Sequence, residues 1–138
     1  MAPTPLYAAL EINKANAQHI YETLRRNGFQ DLLDPETYHI TTMFSKTPVE
    51  YEPHKDVAST AFLGFIGVLG TYLVLMVDSV QANKCWEDGL AAGASWDFPS
   101  YMPHLSISKN TIQPVPNKYL FYQTLLTIER EYTSPLET

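Results

Sequence analysis

The sequence predicts an α+β fold: two pseudo-symmetric halves of antiparallel sheet, with helices outside and a central cleft between them. Three observations predict it. Apolar spacing along the chain gives the order strand, helix, strand, hairpin, helix, strand, strand. Each half then carries a helix, a connecting loop and a short strand that carries H-x-[ST], at His39-Ile40-Thr41 and again at His104-Leu105-Ser106. Finally, 138 residues with 45% apolar and 17% charged side chains have the size and composition of one folded domain, taken as 1–138.

Residues 6–12, "LYAALEI", read as the opening strand. From Asn16 to about Asn27 the apolar residues Ala17, Ile20, Tyr21 and Leu24 fall at helical spacing, and Asn27-Gly28 supplies the stop. After the turn-rich "DLLDPE" comes a strand from Tyr38 to Phe44. A polar loop over 45–56 follows, which Pro48 and Pro53 are expected to keep irregular.

Residues 62–77, "FLGFIGVLGTYLVLMV", carry no charge, yet the run falls short of the roughly 20 residues a membrane-spanning helix needs. Gly64, Gly67 and Gly70 among β-branched residues point to two buried strands with a tight turn near Gly70-Thr71, so no membrane association is expected. Residues 80–91 return to helical spacing through Val80, Cys85 and Leu90, and Gly93 closes the segment. A strand over 104–108, a loop holding Pro114 and Pro116, and a last strand over 120–132 complete the order.

The net charge is −6, and the nine Lys and Arg are scattered apart from Arg25-Arg26. A long nucleic acid needs a track of cations to neutralise its phosphates, so a nucleotide ligand must be small. The single cysteine, Cys85, has no partner for an internal disulfide, and "MAPTPLYAAL" lacks the basic and apolar runs of a secretion signal; a cytoplasmic protein is expected. Cys85 lies mid-helix beside Trp86 and reads as a packed thiol. With neither H-E-x-x-H nor paired C-x-x-C spacing, no metal and no cofactor is expected.

Alternate residues of a strand project from one face, roughly 6 to 7 Å apart. His39 therefore shares a face with Thr41, and His104 with Ser106. Two imidazoles and two hydroxyls across one cleft suit in-line displacement at a phosphodiester: a neutral imidazole takes the proton of the attacking oxygen and an imidazolium protonates the leaving oxygen. The hydroxyls donate to the non-bridging oxygens, where charge concentrates in the transition state. With 21 Ser and Thr in the chain, two such pairs among four histidines arise by chance roughly one time in seven. Context adds weight: both motifs follow a Tyr-containing turn and both run on to Ser-Lys, at Ser45-Lys46 and Ser108-Lys109. His19 and His54 share none of this and read as surface residues.

The paired motifs resemble those of the 2H phosphoesterase superfamily. "GASWDFPSYMPHLSIS", residues 93–108, resembles the second motif region of the phage anti-CBASS cyclic-oligonucleotide phosphodiesterases. "LYAAL", "YHITTMFSK", "LVLMVDS" and "LLTIEREYTSPL" resemble the rest of that family in the same order, so the likeness spans nearly the whole chain. It implies metal-independent cleavage of the 3′–5′ bonds of cyclic di-, tri- or tetra-nucleotide messengers, in the cytoplasm of an infected bacterial host. A ribose 2′-hydroxyl would attack the adjacent phosphodiester, His39 and His104 would be base and acid, and Thr41 and Ser106 would bind phosphate. Ser106 stands where the family more usually has threonine, and no tryptophan follows Tyr132, where the family's tail tends to bring an aromatic over the ligand.

By position, Tyr7, Trp96, Tyr101 and Tyr132 are candidates to stack on bases, Glu131 to accept from an exocyclic amine, and Lys46 and Lys109 to bind anions at the cleft rim. Two other functions use the same cleft: sequestering a cyclic nucleotide without cleaving it, and 2H chemistry on 2′–5′ oligonucleotides or on RNA 2′,3′-cyclic phosphates.

Overall fold

The structure is a computed structural model that describes residues 3–114 and 117–136; Pro116 of the proline loop lies outside them. The strands are β1 (Thr4–Ile12), β2 (His39–Val49), β3 (Ser59–Leu69), β4 (Tyr72–Asp78), β5 (His104–Ser108) and β6 (Leu125–Pro135), and the helices are α1 (Lys14–Arg26) and α2 (Val80–Ala91). Among the described residues the strands form one sheet in the order β2-β1-β6-β3-β4-β5, antiparallel at every junction. From either end inward, the order repeats. β2-β1-β6 mirrors β5-β4-β3, with α1 joining β1 toward β2 and α2 joining β4 toward β5. These are the two halves expected from the repeated motif.

Alternation along the strands sends Leu10, Ile12, Ile40, Leu75, Leu105, Ile107, Leu126 and Ile128 to one face, where they meet Ala17, Ile20 and Leu24 of α1 and Ala82 and Cys85 of α2 in a single core. Full burial of each such aliphatic contributes about 1.5–3 kcal/mol. Both helices are capped as their sequences direct: Asn13 Oδ1 accepts from Asn16 N at 3.0 Å, and Ser79 Oγ from Ala82 N at 2.9 Å. Both end on glycines in the left-handed region, Gly28 at φ 87 and Gly93 at φ 103. Gly89 lets α2 approach β2, since a Cβ there would sit 2.7 Å from Met43 Cε.

Residues 62–77 fall within the β3–β4 hairpin, which turns at Gly70 with φ 60, and no described helix is long and apolar enough to cross a membrane. Two expectations are corrected. β2 does not stop at Phe44 but runs through Pro48 to Val49, because it is an end strand, where a missing N–H breaks no ladder. The last strand begins at Leu125 rather than 120, since residues 118–123 form turns and Gln123 takes φ 64.

Each half also reaches across to the end strand of the other. The segment after α1 lies on β5: Leu33 N donates to Ile107 O at 2.9 Å and Ser108 Oγ to Asp31 O at 2.8 Å. The segment after α2 lies on β2: Lys46 N donates to Ser95 Oγ at 3.0 Å, Ser95 N to Ser45 Oγ at 3.1 Å, and the Tyr101 hydroxyl to Thr41 O at 2.6 Å.

Candidate active site

β2 and β5 begin at His39 and His104, and these end strands approach each other as the sheet curves. Each ring is held alike: His39 Nδ1 lies 2.6 Å from Thr37 O, and His104 Nδ1 lies 2.6 Å from Met102 O. A carbonyl only accepts, so each Nδ1 carries the hydrogen and each Nε2 is left to bind or release a proton. Burial holds the His39 pKa below the ordinary histidine value; the hydrogen bond to Thr37 opposes this, and the charge of His104 adds to it.

Thr41 is fastened at both ends. Its Oγ1 lies 3.0 Å from the Tyr7 hydroxyl and its carbonyl accepts from Tyr101. Tyr7 also sets its ring edge-on to His39, with centroids 6.0 Å apart. Burial pushes the Tyr7 phenol up to about 12, so it stays protonated. Where β2 meets β1 the register passes from Ala8↔Met43 to Ala9↔Thr41, leaving Thr42 as an extra, bulged residue. That bulge buries Thr42, while the regular pairing of His39 with Glu11 and of Thr41 with Ala9 keeps His39 and Thr41 on one face. Ser106, half-buried on β5, is the equivalent hydroxyl of the other half.

Tyr101 and Trp96 join a wall beside this site. Tyr101 stacks on Trp86 at 5.2 Å and 7°, and Trp96 meets Trp86, Phe98 and Tyr101 edge-on. With one face covered and its hydroxyl bonded to Thr41, Tyr101 braces β2. Lys46 pairs with Asp97 at 2.8 Å, and Lys109 lies exposed just past β5. Tyr132 stands beside Arg130, whose guanidinium lies 5.9 Å from the ring centroid and bonds Glu11 at 2.7 Å. These three and His39 line a cavity of about 730 Å³.

Glu131 is placed elsewhere. Adjacent residues of a strand face opposite sides, so Glu131 cannot accompany Tyr132 toward a ligand. It is 4% exposed, and its carboxylate accepts from the Tyr51 hydroxyl, from His54 N and Nδ1 and from Thr42 Oγ1 at 2.8 to 3.1 Å. His54 is not a free surface residue either: its Nε2 lies 2.8 Å from Asp88. Glu131, His54 and Cys85 bring metal-ligand atoms within 4.8 Å of one another. Hydrogen bonds already satisfy the carboxylate and both imidazole nitrogens, and burial pushes the Cys85 thiol up to about 12, against the thiolate a metal requires. Trp86, Thr42 and Tyr51 carried no signal in the sequence, since each acts through a contact distant in the chain.

Residues 4–138 match the family model for anti-CBASS protein Acb1. The chain is 28% identical over 138 residues to the anti-CBASS protein Acb1 of Enterobacteria phage T4, covering 97% of this chain and 90% of that one. It is 24% identical over 140 residues to that of Vibrio phage KVP40, covering 95% and 87%. Among solved structures it superposes on E. coli LigT complexed with 3′-AMP with a TM-score of 0.56 at 14% identity, covering 98% of this chain and 96% of that one. TT0787 of Thermus thermophilus gives 0.56 at 14%, with 97% and 96% covered. The two structural likenesses establish a LigT-type fold. The family match extends over almost the entire sequence, both H-x-[ST] strands included, and the chain belongs to the anti-CBASS protein Acb1 family.

Proposed function

We propose that this anti-CBASS protein is a metal-independent phosphodiesterase that opens the 3′–5′ bonds of cyclic oligonucleotide messengers. The observation that carries the proposal is the matched pair of imidazoles, each with Nδ1 committed to a carbonyl 2.6 Å away and Nε2 left for proton transfer. His39, kept neutral by burial, takes the proton of a ribose 2′-hydroxyl. The 2′-oxygen attacks the adjacent phosphorus, and His104 protonates the departing 5′-oxygen. Thr41 and Ser106 donate to the non-bridging oxygens, and Tyr7, by donating to Thr41, frees the threonine hydrogen for phosphate. The product is a linear oligonucleotide ending in a 2′,3′-cyclic phosphate, which water opens to a terminal phosphomonoester by the same pair with roles exchanged.

The test is chromatography of cyclic di-, tri- and tetra-nucleotides incubated in excess EDTA with wild type and with the His39→Ala/His104→Ala double variant. Linear products from wild type alone support the reading. Tight binding with no cleavage by either protein replaces it with sequestration.

A further inference from the structure

The cavity beside His39 is one-sided. Its walls include His39 and Thr37 but neither His104, Ser106 nor the Trp86 cluster. Its volume, about 730 Å³, falls in the range of roughly 300–1,000 Å³ typical of small-ligand sites. The near wall is Glu11, Arg130 and Tyr132; the far wall is Lys14 and Gln18 from α1 and Glu36 from the 3-10 turn at Pro35–Thr37. Glu11 is committed to Arg130, but among the described residues Lys14 and Glu36 have no ion-pair partner. Gln18 gives its amide N–H to Glu22 at 3.1 Å, which leaves its carbonyl oxygen to accept. Tyr38, another lining residue, keeps a buried hydroxyl with no hydrogen-bond partner.

A cation, an anion, a lone amide oxygen and an aromatic ring around one volume answer the mixed donor and acceptor edge and the flat face of a nucleobase. We infer that this cavity is a nucleoside subsite, which takes the nucleoside whose 2′-hydroxyl attacks and reads its base through Lys14, Gln18 and Glu36. The inference rests on the function proposed above. The attacking hydroxyl must lie beside the group that accepts its proton. With His39 in that role, the 2′-proton passes to His39 Nε2, the O2′–P bond forms, the P–O5′ bond breaks, and O5′ takes the His104 Nε2 proton. The nucleoside in the cavity is then the one left with the 2′,3′-cyclic phosphate, and the next nucleoside leaves with a free 5′-hydroxyl.

A cyclic dinucleotide with one adenine and one guanine contains two distinguishable 3′–5′ bonds. Tandem mass spectrometry of the first linear product identifies which was cut, because the two possible products are sequence isomers of equal mass that differ in their fragments. Wild type is expected to cut one bond at least ~5-fold faster, a difference of about 1 kcal/mol. In Lys14→Ala/Glu36→Gln, two exposed positions where folding is not at stake, that bias should collapse to within about twofold of even, with KM raised. An even cut by wild type, or a bias the double variant leaves intact, overturns the subsite. If wild type cleaves no ring at all, the proposed function fails, and titration with adenosine and guanosine 3′-monophosphates, followed by NMR, decides the subsite by itself. Shifts at the amides of Lys14, Gln18 and Glu36 sustain it, and shifts absent there remove it.

Discussion

His39 and His104 hold their Nδ1 atoms at the same distance, 2.6 Å, from the carbonyl oxygen two residues earlier in the chain. The two halves thus deliver one tautomer and one ring orientation twice, and what distinguishes the rings is their surroundings. In the proposed mechanism, replacing either imidazole removes one proton-transfer group and leaves its counterpart in place. His39→Ala and His104→Ala should each lower kcat by about 10²–10⁴-fold with circular dichroism unchanged. Equal turnover by either variant and wild type would show that proton transfer lies elsewhere.

With His39 as the proposed base, the acid limb of the pH–rate profile follows from its burial. A base works only when deprotonated, and burial places this group's pKa below the ordinary value of about 6.5. Activity should therefore persist as pH falls through 6.5, failing only further down. A kcat/KM profile whose acid limb lies above neutrality would remove His39 from the role of base.

Tyr7→Phe keeps the ring against His39 and deletes the hydroxyl 3.0 Å from Thr41 Oγ1. A hydrogen bond of this kind contributes about 0.5–1.5 kcal/mol, so kcat should fall ~2- to 10-fold. The loss should vanish in the Thr41→Val background, which a double-mutant cycle measures.

The Asp88–His54–Glu131 bridge bears on stability. Burial favours neutral His54, but hydrogen bonds to Glu131 and Asp88 prevail and raise its pKa. A group whose folded pKa exceeds the unfolded value of about 6.5 stabilises the fold most below that value, and the stabilisation is lost as pH rises through the folded pKa. Wild-type Tm should drop between pH 6 and 9, and Asp88→Asn should flatten that dependence. Glu131→Ala, which strips the buried acceptor from Tyr51, Thr42 and His54, should cost about 3 kcal/mol or more in urea unfolding, whatever its effect on catalysis.

Much of this architecture was legible in local pattern. Both helices, the Gly70 turn and the start of β5 were readable because caps, glycines and apolar periodicity act within a few residues. The H-x-[ST] pairs were readable because strand alternation alone puts each imidazole and its hydroxyl on one face. Glu131 and His54 were misplaced for the opposite reason: their partners, Thr42, Tyr51 and Asp88, come together through tertiary contact. The bulge at Thr42, which carries its hydroxyl to Glu131, has no local signature either. The passage of β2 through Pro48 depended on β2 being an end strand, a property of the whole sheet.

The exchange of connecting segments, with Asp31 to Leu33 laid on β5 and Ser95 to Tyr101 on β2, ties the folding of each half to the presence of the other. Neither half could persist alone without a row of bare amides along its histidine strand, an invitation to associate with any passing strand. Unfolding should accordingly be a single cooperative event, with amide exchange in β2 and β5 slowing and quickening together, and the distance between the two imidazoles surviving until the whole sheet is lost.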